Sequence, residues 1–175
     1  NGNGEQTYNW PTVPNRNSET CKIKVKHDNS SHPDVKSESS SNFSIRPKIQ
    51  VTQPILNQNI IATSEGNNIR INWGGTTAGS VWVYYSTNSG SSYASLGPAF
   101  EAVNVGNGNN DIEFTSPDSV SSNCYIKAID NNNAANTGIS PKFKIVGNLA
   151  LTQPIGNEKW GIGLNRNITF ATTGT

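Results

Sequence analysis

Thr52-Gln53-Pro54-Ile55 recurs as Thr152-Gln153-Pro154-Ile155, a displacement of 100 residues along a chain of 175 residues. A period of this length falls within the usual size of one β-sandwich domain. The two copies therefore indicate that the chain contains repeated structural units of the same length.

A longer match joins the N-terminal part of the chain to a later stretch. Cys21-Lys22-Ile23-Lys24-Val25 parallels Cys124-Tyr125-Ile126-Lys127-Ala128, and Phe43-Ser44-Ile45 parallels Phe143-Lys144-Ile145. The displacement drifts by a few residues between these motifs. Such drift is expected when surface loops change length, because a strand cannot slip by one residue without turning its apolar set to the wrong face.

These matches divide the chain into the C-terminal half of one repeat at residues 1–50, a complete repeat at residues 51–150, and the N-terminal strands of a third at residues 151–175. A half-sandwich would expose an apolar face and strand edges, so we expect further residues on both sides in a longer protein. Alternatively, the incomplete ends of different subunits complete each other. That arrangement would still lack the strands equivalent to residues 78–103.

Alternation of apolar and polar residues with a period of two predicts the strands of the complete repeat. The predicted strands lie at residues 49–55, 69–73, 81–85, 93–96, 112–114, 124–128 and 143–145. In such strands one face packs inward while the other meets water. Seven short strands in one repeat predict an all-β fold of the sandwich type.

The turn after the third strand has a recognisable sequence, Ser86-Thr87-Asn88-Ser89-Gly90-Ser91-Ser92-Tyr93. Asn and Gly accept a left-handed backbone, so this stretch predicts a tight hairpin. It is similar to the Asp-box hairpin of sialidase-type propellers, with Asn88 where that motif has Asp. In those proteins the box is a structural turn, so the similarity implies no catalytic role.

The motifs of the complete repeat follow one another in a defined order: Ile71-Asn72-Trp73, Val81 to Tyr93, Phe114 to Pro117, Cys124 to Asp130, and Ser140 to Ile145. This order resembles an immunoglobulin-like or fibronectin type III-like repeat of bacterial secreted proteins. The resemblance implies tandem β-sandwich repeats of about seven strands each. It also implies an extracellular or cell-surface location, where such modules serve as spacers in adhesins and other large proteins.

Composition argues against several classes of partner. The net charge is +1, which predicts no general attraction to nucleic acid or to an acidic membrane surface. No stretch approaches the roughly 20 apolar residues of a membrane-spanning helix, so direct membrane insertion is not expected.

The residues that could support catalysis form no recognisable constellation. Cys21 and Cys124 occupy equivalent positions, and the strand that faces Cys124 offers Trp73 rather than a second cysteine. We interpret both cysteines as small buried residues, since free Cys is among the most buried residue types. No pair stands out among the carboxylates Glu65, Glu101, Asp111, Glu113 and Asp118. The sequence therefore predicts neither an enzyme nor a cofactor.

The loops that follow the two cysteine strands are rich in oxygen ligands, with Asp28 in one and Asp130 in the other. These two residues are weak candidates for calcium binding, because the several regularly spaced carboxylates of a tight site are missing. The favoured interpretation is no metal, with Asp and Asn side chains capping a solvated turn.

Aromatic residues provide the candidate contact surface. Trp82 and Tyr84 alternate with inward residues and should lie on the outer face, where they contact a glycan, a surface ligand or a neighbouring domain. Simple coverage of the outer face is the favoured alternative. Trp160 is a further candidate for an interdomain contact.

Candidate modification sites are short motifs. Asn29, Asn42 and Asn167 each begin an N-glycosylation triplet, a pattern that an Asn-rich chain also produces by chance. Asp118-Ser119-Val120 resembles the Asp-Ser/Thr-aliphatic site of O-glycosylation in bacteria with this repeat type, which makes Ser119 the acceptor.

Three functional hypotheses follow. The first is a noncatalytic structural segment of a long surface protein, filament or adhesin stalk, whose partners are the neighbouring repeats and other copies in a filament. The second is an adhesin module that binds carbohydrate or protein through Trp82 and Tyr84. The third is an accessory region of a secreted enzyme whose catalytic domain lies elsewhere in the parent protein.

Overall fold

The computed structural model describes residues 4–14, 16–27, 31, 33–75 and 78–174. Within them the structure is all-β, as the alternation predicts, with one short 3-10 helix at Pro98–Phe100. The strands are β1 (Ser18–Cys21), β2 (Lys24–Lys26), β3 (Lys36–Glu38), β4 (Phe43–Ile45), β5 (Lys48–Gln53), β6 (Asn59–Ile61), β7 (Asn67–Gly74), β8 (Gly79–Ser86), β9 (Ala94–Ser95), β10 (Val103–Val105), β11 (Gly108–Phe114), β12 (Ser121–Asp130), β13 (Asn133–Ile139), β14 (Phe143–Val146), β15 (Asn148–Gln153) and β16 (Thr169–Thr173).

Two sheets form the central unit, which we define as residues 48–146. The first sheet has the strand order β11-β7-β5, and the second has the order β10-β8-β12-β14-β6. In addition, β9 pairs with β8, and β13 pairs with β12. Buried side chains from both sheets belong to one hydrophobic cluster, so the two sheets enclose a single core in a sandwich-like arrangement.

Sequence alternation explains which side chains fill this core. On β7 the buried residues Ile69, Ile71 and Trp73 alternate with polar ones, because successive side chains of a strand point to opposite faces. The remaining buried hydrophobic residues are Ile49, Val51, Ile60, Ala62, Val81, Val83, Val105, Phe114, Cys124, Ile126, Ala128, Phe143 and Ile145. Among the described residues, every buried one lies between Pro47 and Ile145.

The first strand of the central unit is divided between the two sheets. Antiparallel pairing joins β5 to β7 in the first sheet, whereas β6 pairs in parallel with β14 in the second. The chain passes from one sheet to the other through residues 54–58. This crossing ties the two sheets together at one edge of the core.

Each of the seven predicted strands overlaps a strand of the structure, but the described part of residues 48–146 contains ten strand segments. The additional segments are β6, β10 and β13. Alternation cannot identify β6 and β10, because three residues are too few to show a period. The polar strand β13 was predicted to be part of a loop, and it instead lies at the edge of the second sheet.

Gly138 shows why β13 can lie there. A Cβ atom at this position would sit 2.8 Å from the backbone oxygen of Ile49, which is closer than real Cβ contacts. Glycine therefore permits β13 to approach β5 closely. The sheet edge depends on this missing side chain as well as on hydrogen bonding.

The predicted hairpin after β8 is present and is closed by its own side chains. The hydroxyl of Ser86 accepts a hydrogen bond from the amide of Gly90 at 3.0 Å. The carboxamide oxygen of Asn88 accepts one from the amide of Ser92, also at 3.0 Å. Ser89 and Gly90 have φ values of 63° and 79°, the left-handed backbone that the sequence predicts.

A buried serine joins the two halves of the last strand of the central unit. Between β13 and β14, Ser140 donates its amide hydrogen to the carbonyl of Ile126 and accepts the Ile126 amide through its hydroxyl, both at 2.9 Å. The hydroxyl replaces the carbonyl that a continuous strand would supply. Hydrogen bonding to β12 therefore continues across the interruption between β13 and β14.

Strand pairs outside the central unit repeat its registers. Ser18 pairs with Ile45 and Cys21 pairs with Phe43, and the strand register is irregular between these two pairs. In the central unit Ser121 pairs with Ile145 and Cys124 with Phe143, with an irregularity at the same place. The pairing of β15 with β16 likewise follows that of β5 with β7, including a register shift just before Gln153 and just before Gln53.

Residues that occupy equivalent register positions in the flanking segments and in the central unit differ in their burial. At the equivalent positions Ile23 and Ile126, the exposed fractions are 43% and 0%. Leu151 is 55% exposed, whereas its counterpart Val51 is 2% exposed. The flanking segments have the strand pairs of the central unit without the second sheet that would cover them.

Candidate binding surface

The two outer faces of the central unit differ in chemistry. The outer face of the sheet β11-β7-β5 is polar, and its side chains bond to one another across the strands. Arg70 donates to both carboxylate oxygens of Asp111, at 2.6 and 2.9 Å, and Asn72 donates to Asn109 at 2.9 Å. The hydrogen bond from Arg70, with a second from Asn68, lowers the pKa of Asp111 to about 2.

On the outer face of the second sheet the central residues are aromatic. Trp82 and Tyr84 point outward from β8, as the alternation predicts, with ring centroids 6.5 Å apart and ring planes 11° from parallel. The Trp82 indole donates a hydrogen bond to the side chain of Asn131, which holds the indole in place. Both rings are half-buried and form one continuous surface.

Strand β12 extends this surface. Its residue Lys127 pairs with Tyr84, and Ile129 pairs with Trp82, so these side chains share the outer face. The Lys127 ammonium lies 5.1 Å from the centre of the Tyr93 ring, a cation–π contact.

Tyr93 and Tyr125 complete the surface. Burial raises the pKa of the Tyr93 hydroxyl, and the neighbouring Tyr125 raises it further. We call the set Trp82, Tyr84, Tyr93, Tyr125 and Lys127 the aromatic face. Such a face can pack against the apolar side of a sugar ring or against a protein, while its Tyr hydroxyls and indole form hydrogen bonds.

Sequence reasoning identified Trp82 and Tyr84 but missed the other members of the aromatic face. Tyr125 and Lys127 carried a usable signal, because they alternate with inward Cys124 and Ile126 and so had to face outward. No sequence signal indicated Tyr93, since its ring reaches Lys127 only in the folded hairpin.

The calcium candidates receive no support from the described residues. Asp130 is buried, at 5% exposure, and its two carboxylate oxygens accept hydrogen bonds from the Asn132 amide and the Asn136 side chain. Asp130 thus caps a turn with its own buried side chain, whereas the turn residues Asn131 and Asn132 are exposed. Asp28 lies outside the described residues. In the described part of the chain, no three His, Cys, Asp or Glu residues are grouped as a metal site requires.

Trp160 lies in the C-terminal segment, apart from the aromatic face, and is 45% exposed. It lines a shallow depression with Gln153, Glu158 and Arg166. The repeat spacing matches Trp160 with Ile60, which is 2% exposed in the core of the central unit. This correspondence favours a packing role for Trp160 over a ligand contact.

The candidate modification sites lie in different surroundings. Asn42 and Asn167 are exposed, each just before a strand, and Asn29 lies outside the described residues. Ser119 is half-buried in the turn that precedes β12. Its neighbour Asp118 accepts a hydrogen bond from the Gly174 amide at 3.0 Å, so a glycan on Ser119 would sit beside the C-terminal segment.

The cysteines are placed as packing residues. Cys124 is fully buried, and this burial raises the pKa of its thiol, so the reactive thiolate is disfavoured. Cys21 is half-buried, because no second sheet covers it.

No protein-family model matches the chain, and no curated protein is similar to it. Among the described residues, no helix has the length and apolar character needed to cross a membrane.

Proposed function

We propose that the chain is a stretch of tandem immunoglobulin-like or fibronectin type III-like repeats. It serves as a noncatalytic structural segment in the stalk, filament or adhesin of an extracellular surface protein. The observation that carries the proposal is the recurrence of strand registers in all three parts of the chain. In the N-terminal segment Lys24 pairs with Glu38, and its counterpart Lys127 in the central unit pairs with Ile139. In the central unit Lys48 pairs with Gly74, and its counterpart Asn148 in the C-terminal segment pairs with Thr173.

The topology of the central unit supports the immunoglobulin-like assignment. Its first strand changes sheet, and its second segment, β6, pairs in parallel with the last strand, β14. This class of sandwich has two packed sheets with Greek-key connections, and the division of β5 and β6 between the two sheets is compatible with it. The repeat spacing assigns residues 51–150 to one domain, and the occurrence of the described buried residues between Pro47 and Ile145 supports this assignment.

Short connections between repeats support a stalk. Two residues separate β4 from β5, and one residue separates β14 from β15. At the first junction, the Glu19 carboxylate accepts hydrogen bonds from Arg46 at 3.2 Å and from Asn133 of the central unit at 3.1 Å. Short linkers with such contacts restrict bending between domains.

The location can be tested on the source cells with an antibody raised against residues 47–147. We expect the antibody to label intact cells and externally added protease to remove the signal. Signal that appears only after permeabilisation would contradict the proposal. The intact mass of the native polypeptide provides a second test, because a stalk of repeats requires a mass far above 18.8 kDa.

A second candidate function is binding of a carbohydrate through the aromatic face. It is favoured by the near-parallel, half-buried rings of Trp82 and Tyr84 on the outer face of the second sheet. Titration of the full chain with neutral oligosaccharides should change its tryptophan fluorescence. Trp82→Ala should abolish this change, whereas Trp160→Ala should preserve it; the reverse pattern would exclude the aromatic face.

A further inference from the structure

The outer face of the strand pair β2–β3 carries an unusual concentration of lysine. Lys24 and Lys26 point to one side of β2 and Val25 to the other, because strand side chains alternate. Lys24 pairs with Glu38, and Lys26 pairs directly with Lys36. Residues opposite each other in an antiparallel pair share a face, so these lysines lie together.

Lys22 extends the same face by one step, and its ammonium lies 3.1 Å from the Glu38 carboxylate. We call Lys22, Lys24, Lys26 and Lys36 the lysine face. With Glu38 included, it carries a net charge of +3, although the whole chain carries only +1. All four lysines are exposed, and among the described residues Lys22 is the one member of the lysine face whose ammonium forms an ion pair with a carboxylate.

The fold does not require these charges. In the central unit, the residues with the registers of Lys26 and Lys36 are Ile129 and Thr137, which are uncharged and pair in the same way. Like charges placed directly opposite each other destabilise a strand pair. The lysines therefore oppose pairing slightly in the free protein, and an anion bound across them would remove this repulsion.

We propose that the lysine face binds an anionic polysaccharide, one that carries carboxylates or sulfates along its length. Lysine presents compact charges without the planar fork with which arginine grips a phosphate or carboxylate in one geometry. Charges in rows on a two-stranded ribbon suit a polymer with repeated negative groups. The outward positions of this ribbon hold no aromatic ring, so it lacks the stacking surface that single-stranded nucleic acid uses.

The test uses the full chain and alginate, a polymer of uronic acids, with neutral dextran as the uncharged reference. Binding measured by calorimetry at low salt should be detectable for alginate and absent for dextran. Affinity should fall steadily as NaCl rises, because exposed charges are screened and counterions compete. No binding of alginate at low salt would overturn the proposal.

A pair of matched variants locates the site. K24Q/K26Q removes two charges from the lysine face, and K142Q/K144Q removes two charges with the same spacing from the central unit. We expect K24Q/K26Q to weaken alginate binding by about tenfold or more, since each lost ionic contact is worth several-fold at low salt. The control should stay within about twofold. Equal losses in the two variants would show an effect of net charge alone and overturn the site.

Duplex DNA tests the class of partner. A protein that recognises spaced carboxylates or sulfates should bind alginate at least as tightly as DNA at the same ionic strength. Tighter binding of DNA, weakened by K24Q/K26Q, would overturn the assignment to a polysaccharide. Far-UV circular dichroism should match the parent in both variants, and neither variant should unfold at a lower temperature, because the exchanged lysines lie outside the core.

Discussion

The strand pair β2–β3 has the same register as the strand pair β12–β13 of the central unit, but its side chains are more exposed. Inward residues are apolar in both, with Ile23 matched by Ile126 and Val25 by Ala128. Val25 is nevertheless 66% exposed and Ala128 fully buried. Hairpin pairing is thus set by local hydrogen bonding, whereas burial requires the opposing sheet.

The outward positions of the same two strand pairs diverge. Lys22 and Lys26 in the first correspond to Tyr125 and Ile129 in the second. Packing constrains the inward positions, because a core tolerates only residues of suitable shape and polarity. The outward positions are free to differ, and in this chain they distinguish a lysine face from an aromatic face.

The largest expected effect concerns the equivalent isoleucines. Ile126→Ala leaves a cavity in the core and should lower the free energy of unfolding by about 2 to 5 kcal/mol. Ile23→Ala should lower it by less than about 1 kcal/mol, because the side chain is already 43% exposed. Urea unfolding of the full chain measures both. Equal losses would show that the N-terminal segment has its own covered core.

A smaller effect is expected at the serines that join the strand halves. Ser140→Ala leaves the buried Ile126 amide without its 2.9 Å hydrogen bond and should cost about 1 to 3 kcal/mol. The corresponding bond, from the Ile23 amide to Ser39, is 3.3 Å long and exposed. Water can replace the hydroxyl there, so Ser39→Ala should cost less than about 0.5 kcal/mol. A larger loss at Ser39 would reverse the comparison.

The smallest effect concerns pH and the polar face of the central unit. The folded-state pKa of Asp111 is about 2, below the value of 3.8 for a free side chain. Its ionised form therefore stabilises the fold above about pH 4, and this contribution is lost as pH falls toward 2. Asp111→Asn should show a shallower decrease in melting temperature between pH 5 and about pH 2. Glu65→Gln, which removes an exposed carboxylate outside the Arg70 pair, should follow the parent; identical curves for all three proteins would contradict the Asp111 assignment.

Much of the fold was accessible from the sequence because apolar periodicity reports burial directly. Ile69, Ile71 and Trp73 identified β7, and Asn88 with Gly90 identified the hairpin. Periodicity could not predict β13, because it is a polar edge strand whose position depends on the fit of Gly138 against β5. A close backbone contact of this kind leaves no periodic pattern.

The serine that hydrogen-bonds in the N-terminal segment is one residue away from the position that spacing to Phe43 gives. Counted back from Phe43 as Ser140 is from Phe143, that position is Ser40. In the structure Ser39 makes the bond with Ile23 that Ser140 makes with Ile126. Loop length differs between the segments, so spacing to Phe43 does not locate the bonding residue.

Sequence patterns alone predict the all-β class, the inward and outward faces of the main strands, and the recurrence of Thr-Gln-Pro-Ile and of the cysteine strands. These properties follow from alternation and repetition, which are local. The folded arrangement is needed to place Tyr93 and Tyr125 beside Trp82 and Tyr84, and to place Asp111 against Arg70. Residues distant along the chain meet only when strands pair and hairpins close, and the sequence pattern does not encode the distances between them.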